Sequence, residues 1–415
     1  MGLQQITGNE IAAGSIAATD LASASITGDK LGLTAINANN IVNATITTTQ
    51  IASNTISNTN IQTGAIENYS RATGLLSGMR NRIINGAMVF DQRNAGVSVT
   101  PAGGAYQLDR FVYQPTPVSK FSIQRSTTAP AGFNNSMLLT VVSAHTPTTN
   151  DSINIGQYIE GFNVADLNWG TANAKTVTLS FFVNCSVTGT YSVQFGGDNG
   201  RGYIGTYTVN SANTWEQKSI TVPGDTSGTY GTTNGTGITV FFALGAGSGR
   251  QNTPNAWIAS GYTTTAATGS TNLVETNGAT LYLTGVQLEV GSTATSFDYR
   301  SIGTELELCL RYFHFIGGDT AYQSVNTVVW YTANDAVGAF RHPVPMRTTP
   351  TISKSGDWAV LGGGGTVGQT LSADQNGPKT SQLGFGSGSG GTTGQASVLR
   401  VNNDSNFRLT FNAEL

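Results

Sequence analysis

Carboxylates such as Asp91, Asp109, Glu160, Asp166 and Glu289 could act as an acid or base. Cleavage of a glycosidic bond needs two such groups facing each other across a cleft. No spacing pairs any two of the five, so the sequence names no catalytic residue. Asp109-Arg110 reads instead as a buried ion pair fixed in a strand. His145, His314 and His342 are isolated from one another and give no metal-ligand spacing. No cofactor is implied either. Gly200, Gly202 and Gly205, then Gly363, Gly365 and Gly368, and again Gly386, Gly388 and Gly391 fit Gly-x-Gly-x-x-Gly. None of the three opens a helix after a strand, as the dinucleotide fingerprint requires, and they read as turns. Cys185 and Cys309 lie far apart and read as two buried, reduced thiols.

The aromatic residues offer a different chemistry. Sugar rings are held by exposed aromatic faces beside amide and carboxylate groups. Trp169 and Trp257 lie in loop-like contexts and could serve, whereas Trp215 sits in an alternating strand and reads as core. Nearer the C-terminus Tyr322, Trp330, Tyr331 and Trp358, with Asp357 beside the last, form the preferred ligand-binding set.

The elements that would carry these residues are strands. From residue 80 to 301 the clearest runs are Met137–Val142, Thr176–Val183, Tyr191–Phe195, Gly202–Val209, Trp215–Val222, Ile238–Leu244 and Ala279–Val290. Strong turn signals separate them, which predicts one β-sandwich or barrel. A connecting helix is predicted at 302–316. Thr304 and Glu307 have capping-box spacing, and Leu306, Cys309, Leu310 and Phe313 share one face. Being short and amphipathic, it must lie on a sandwich or on symmetry mates. Over 317–415 strands resume at Ser324–Thr332, Val337–Arg341, Thr351–Ser355, Trp358–Leu361, Ala396–Val401 and Asn406–Asn412, while Gly362–Gly365 and Gly384–Gly391 read as mobile loops. This is a second β-sandwich, at the tip.

The first 67 residues follow another rule. Ile6, Ile11, Ile16, Leu21, Ile26, Leu31, Ile36, Ile41, Ile46, Ile51, Ile56, Ile61 and Ile66 recur every five residues, separated almost entirely by small and polar residues. A step of five smears the stripe around an α-helix and alternates faces along a strand. It fits a chain that extends, turns and repeats. Small residues before Ile16, Ile26 and Ile36 alternate with longer polar ones before Ile11, Leu21 and Leu31, so the unit is a decapeptide. One aliphatic per five residues builds no core alone. A single-chain solenoid and an intertwined shaft of three chains both answer this, and the decapeptide favours the shaft. The fold class is therefore all-β: a homotrimeric fibre with a repeat stalk and N-terminal attachment at 1–67, and a hinge at 68–79. For a three-chain shaft, Ile36→Asp with Ile46→Asp buries three unpaired charges at each of two levels and should abolish assembly. A soluble monomer with a folded stalk in sedimentation of the unmodified chain would refute the trimer.

Composition narrows the function classes. Charged residues make up 10% of the chain, against roughly 25% in ordinary globular proteins. A net charge of −3 with no basic cluster gives no footprint for nucleic acid. No apolar run is long enough to insert in a membrane. Met1 to Gln5 lack the features of a signal peptide, so synthesis and assembly in a cytoplasm are expected.

Arg80-Asn81-Arg82-Ile83-Ile84-Asn85-Gly86-Ala87-Met88, continued by Asp91-Gln92-Arg93-Asn94-Ala95-Gly96, resembles the opening of a domain common in bacteriophage tail fibre proteins. Tyr106-Gln107-Leu108-Asp109-Arg110-Phe111 resembles that family's aromatic-x-x-Asp-Arg-aromatic motif. Gly285-Val286-Gln287-Leu288-Glu289-Val290-Gly291 with Phe297-Asp298-Tyr299-Arg300 is similar to its closing strand, and Gly303-Thr304-Glu305-Leu306 with Cys309-Leu310-Arg311-Tyr312-Phe313 to the helix after it. The decapeptide stalk is also similar to shafts of such fibres. The resemblance implies a homotrimeric tail fibre of a virion, assembled in the host cytoplasm, with a carbohydrate-binding-module-like jelly roll. It implies attachment to other tail or baseplate proteins through the N-terminus, and adsorption to a bacterial surface glycan through the C-terminal part. Deleting 314–415 should then leave a soluble trimer that no longer adsorbs. The alternatives are a tailspike-type polysaccharide depolymerase and a purely structural connector or head fibre.

Overall fold

The computed structural model describes residues 79–197, 200–259, 263–318, 320–361, 370–386, 390–403 and 406–415, together with Ala17 and Thr19. The aliphatic row of the stalk and nearly all of the hinge lie outside the described residues. Residues from Gly78 to Leu415 form one compact unit.

That unit holds two β-sandwiches. The first sets a seven-stranded sheet against a five-stranded one. In spatial order the larger sheet is β1 (Ala105–Tyr106), β2 (Val112–Thr116), β5 (Ser152–Glu160), β10 (Thr236–Ala246), β7 (Gly189–Gly196), β8 (Gly202–Val209) and β12 (Trp257–Ile258). The smaller is β3 (Phe121–Ser126), β4 (Ser136–Val141), β14 (Thr280–Val290), β6 (Val177–Cys185) and β9 (Glu216–Val222). The chain crosses repeatedly between the sheets, as in a jelly roll, and the pairings within each are antiparallel. A two-residue parallel pair, β11 (Gln251–Asn252) with β13 (Ala266–Ala267), stands apart.

Alternation explains the core. Val177, Leu179, Phe181, Val183 and Cys185 of β6 are all fully buried, as are Ile153 and Ile155 of β5, because every second side chain of a strand points to the same face. The phase changes once in β14, where Leu281 and Leu283 face the core before the register shift and Val286 and Leu288 after it. Gly285 sits at this bulge with φ +62°, and a Cβ there would lie 2.7 Å from the Phe133 ring. The extra residue lets one long strand keep both halves of its apolar set inside.

The predicted strands are present, with ends shifted by one or two residues. β5 was not predicted, although Ile153, Ile155 and Ile159 have strand spacing. Its pattern is broken by Gln157, a buried amide that both donates to Ile84 O at 2.9 Å and accepts from Ile84 N at 3.0 Å. In the second sandwich the hairpin β20 (Thr370–Asn376) and β21 (Thr380–Gly386) was also missed. Gly384 and Gly386 thus belong to a strand and not to a loop, paired with Ser372 and Thr370, whose side chains a Cβ at either glycine would strike. These strands complete a six-stranded sheet with β19 (Trp358–Val360), β22 (Ala396–Val401), β16 (Ser324–Trp330) and β17 (Asp335–Arg341). Opposite it lie β15 (Phe313–Ile316), β23 (Arg408–Asn412) and β18 (Thr351–Ser355).

Helix α1 spans Ile302–Leu310 and stops well short of residue 316. Its N-cap is Ser301, whose hydroxyl accepts from Thr304 N at 3.3 Å, so Thr304 is the N3 residue and not the cap. Phe313 to Ile316 leave the helical pattern because β23 offers them a strand partner. No helix among the described residues is long and apolar enough to cross a membrane.

The residues that carry the tail-fibre resemblance brace the first sandwich. Asn81 donates to Val286 O and accepts from Ile83 N and Leu288 N. Asn85 bonds both ways with the Phe90 backbone and also donates to Asp109 O. Arg300 donates to the carbonyls of Asn81 and Ile83 and pairs with Glu305 of α1. These bonds tie the first residues of the unit to the strand and helix that close the sandwich more than 200 positions later.

The second sandwich does not hang free. Arg110, 0% exposed, pairs with Glu414, which also binds Arg93 at 3.1 Å. Glu160 holds Arg311 at 2.5 Å and accepts from the Tyr312 hydroxyl at 2.5 Å. Arg347 donates to Asn234 O on one sandwich and to Ala413 O on the other. Around these groups Ile84, Cys309 and Tyr312 pack with Phe90, Leu308 and Leu415. Asp109 and Arg110, expected from the sequence to form an ion pair in a strand, do not pair with each other. They lie in a turn, with Arg110 at φ 69°, so their side chains diverge. Asp109 meets Arg93 at 3.4 Å. Burial pushes its carboxyl up to about 6, against the pull of Arg93 and Gln92. Burial opposes the Arg110 charge, yet Glu414 makes it more basic than usual.

Candidate functional site

The outer face of the seven-stranded sheet carries a cleft of about 400 Å³. Its floor follows from strand register. Gln114 of β2 stands opposite Asn154 of β5, and Phe241 of β10 is opposite Gln194 of β7. Each is an odd-phase neighbour of the core residues, so the same alternation that buries Ile153 and Ile155 turns Asn154 outward. Gly156 lies between Val112 and Phe241 in the rows of the sheet. A Cβ there would come within 2.7 Å of Phe241 Cδ1, so glycine lets that ring lie down on the sheet. The edge of Tyr158 then packs on it, centroids 5.2 Å apart. The walls are Gly104, Pro115, Thr116, Ser152, Arg250, Thr263 and Thr265.

The chemistry of the cleft is that of amides and hydroxyls. Gln114 donates to the Tyr158 hydroxyl, and Asn154 Nδ2 to Ser152 Oγ at 2.7 Å. Ser152 Oγ in turn bonds Thr265 Oγ1 at 3.3 Å. Asn154 is 4% exposed and its Oδ1 has no hydrogen-bond partner. A buried acceptor without a donor costs about 1–3 kcal/mol, which Asn154 bears within the wall of the cleft. No carboxylate lines the cleft.

The five sequence carboxylates are engaged elsewhere. Asp91 accepts from Asn94 N and Gly96 N, Asp166 from Arg82, and Glu289 from Gln287 and Thr295. Asp109 and Glu160 belong to the junction between the sandwiches. The preferred aromatic set is not brought together either. Trp330 and Trp358 are 1% and 0% exposed, core residues of the second sandwich and not platforms. Trp358 meets Phe385 and Phe407 at 5.6 and 6.1 Å, and Gly391 lies flat on the Trp330 ring. Tyr322, 50% exposed with Arg400 over its ring, and exposed Asp357 share the end of the sheet where β22 finishes. Tyr331, 71% exposed, lies at the other end of β16.

Trp169 and Trp257 are packed edge to face at 5.2 Å and donate to Lys175 O and Pro223 O. Trp215 is half-buried against Tyr282. His314 and His342, isolated in sequence, are joined at 3.0 Å in the second core. No group of three or more metal-ligating side chains occurs among the described residues. Cys185 and Cys309 are free and buried.

Sequence reasoning missed Gln114, Asn154, Gln194, Phe241 and Arg250. The available signal was β5 itself, where Ser152 and Asn154 alternate with isoleucines. The others are single polar or aromatic residues whose meeting depends on strand order.

No family model matches the sequence, and no curated protein matches it. Several solved structures share a partial likeness. The enzymatically active domain of bacteriophage CBA120 tailspike protein 4 is 12% identical, covering 51% of this chain and 21% of that one, with a TM-score of 0.29. TmCBM61 in complex with beta-1,4-galactotriose is 7% identical over 51% of this chain and 99% of that one, TM-score 0.28. A family 11 carbohydrate-binding module of a Clostridium thermocellum cellulase is 12% identical over 48% and 98%, TM-score 0.25. This chain thus spans about a fifth of the tailspike chain. Scores this low assign neither activity nor ligand, and the cleft must be read from its own residues.

Proposed function

We propose that this chain is a sugar-binding segment of a viral adhesive fibre, and that the cleft on the seven-stranded sheet is where the sugar sits. The observation that carries the reading is a cleft walled by amides and hydroxyls, Gln114, Asn154 and Gln194 with Thr116, Ser152, Thr263 and Thr265. Sugar hydroxyls supply donors and acceptors in the same density. The fibre part rests on the decapeptide repeat and on the motifs from Arg80 to Phe313. In a three-chain fibre, three clefts acting together would multiply a weak contact by roughly 10² to 10⁴. Binding without cleavage is the reading for activity, since the cleft has no acid to protonate a leaving group. Shortened chains after incubation with a host polysaccharide would overturn it.

On this reading recognition lies in the cleft and not at the tip. Asn154→Ala and Gln114→Ala should each weaken glycan binding by about 3- to 10-fold, one hydrogen bond's worth, with the fold retained. Tyr331→Ala should leave binding as it is. A glycan array with the whole chain, followed by titration of the best ligand, reads all three. If Tyr331→Ala or Tyr322→Ala weakens binding while Asn154→Ala does not, recognition belongs to the second sandwich.

A further inference from the structure

We propose that the cleft selects an anionic sugar, with the acid group seated on Arg250; this rests on the reading that the cleft binds glycans. Arg250 is the sole charged residue in the lining, and no Asp or Glu stands beside it there. It makes no ion pair among the described residues. Its guanidinium is nevertheless fixed. Nε donates to Asn150 O at 3.1 Å and Nη1 to Thr263 O at 3.2 Å. The Arg250 carbonyl accepts from Thr265 N at 2.8 Å, and Thr265 Oγ1 reaches Ser152 on the floor. The two carbonyls alone would describe a loop brace. They use two of the five N–H groups, and the remaining three stay on a planar fork oriented by those bonds.

A pre-oriented guanidinium in an acid-free cleft is complementary to a carboxylate or a phosphate, which it can grip through two parallel bonds. The amides and hydroxyls that line the rest of the same cleft, Gln114 and Thr116 among them, address sugar hydroxyls. One wall therefore calls for a neutral hydroxyl and another for an anion. A sugar acid carries both on one ring.

The test titrates the whole chain with matched pairs: tetragalacturonate against its methyl ester, and pentamannose 6-phosphate against mannopentaose. An array of uronates, sialosides, phosphorylated and neutral oligosaccharides precedes it and widens the pairs used. The expected result is that a charged member binds roughly tenfold more tightly than its uncharged twin, as a charge-assisted bond would give. The preference should weaken with added salt, vanish in Arg250→Gln and partly persist in Arg250→Lys. Which pair shows it decides between carboxylate and phosphate. Equal binding of charged and uncharged twins, or a preference that survives Arg250→Gln, overturns the anionic assignment while leaving a glycan site. No binding to any sugar overturns the glycan reading and this inference with it.

Discussion

Glu414→Gln should destabilise the protein by about 3–5 kcal/mol, the scale for removing one partner of a buried ion pair. The reason is Arg110. Its guanidinium is fully buried against the Tyr312 ring, 3.6 Å from the centroid, and Glu414 is its anionic partner. Arg93 would lose one of its two acids as well. The amide keeps the shape and some hydrogen bonding but not the charge. Arg110→Met should cost less, because Glu414 keeps Arg93 at 3.1 Å as its cationic partner. The double variant Arg110→Met with Glu414→Met should cost clearly less than the sum, since a buried pair exchanged for apolar groups is close to neutral. Urea unfolding of the four proteins measures this. A cost below about 1 kcal/mol for Glu414→Gln, on the scale of an exposed pair, would show that water reaches the junction. The same junction changes the meaning of removing 314–415: the cut opens an interface of ion pairs and apolar contacts and does not detach an independent tip.

Acid should unfold the second sandwich through its histidine pair. His314 and His342 are 2% and 4% exposed, joined to each other at 3.0 Å, with Phe411 stacked on His314 and Ser381 Oγ 3.2 Å from His342. No acid is among these neighbours. Burial, then the partner ring, pulls His314 down from 6.5 to about 4, and burial lowers His342 too. The folded state therefore binds fewer protons than the unfolded one between these values. Stability is fully present above pH 6.5 and is lost as pH falls through about 4. For His314 alone the loss reaches about 3 kcal/mol below pH 4, at 1.36 kcal/mol per unit. Melting curves from pH 7.5 to 4 should show this slope, and His314→Gln with His342→Gln should flatten it. An unchanged slope in the double variant would place the acid sensitivity elsewhere.

Alternation and turn residues made the strands legible. Val177 to Cys185 announce a half-buried strand with no help from the rest of the chain, because the period of two is a local property of extended backbone. Helix α1 was legible for the same reason, but its end was not. Phe313 continues the helical spacing, and only the availability of β23 converts it to strand. Strand runs separated by turn residues pointed to the all-β class. The fivefold aliphatic row is equally a local fact, and its partners are not in the sequence.

What tertiary structure alone decided is who faces whom. Trp330 precedes Tyr331 and Trp358 follows Asp357, yet both rings lie in the core of the second sandwich, and burial is a property of layers and not of runs. Asp109 and Arg110 are adjacent and unpaired, whereas Arg110 and Glu414, 304 positions apart, are paired. His314 and His342 meet through different strands of one core. Gln114, Asn154, Gln194 and Phe241 come from four strands whose order, β2-β5-β10-β7, cannot be read from their order in the chain. Each strand specifies its own inward and outward faces; only the crossing of strands between sheets puts these outward residues side by side, and that crossing is settled by the packing of the whole core.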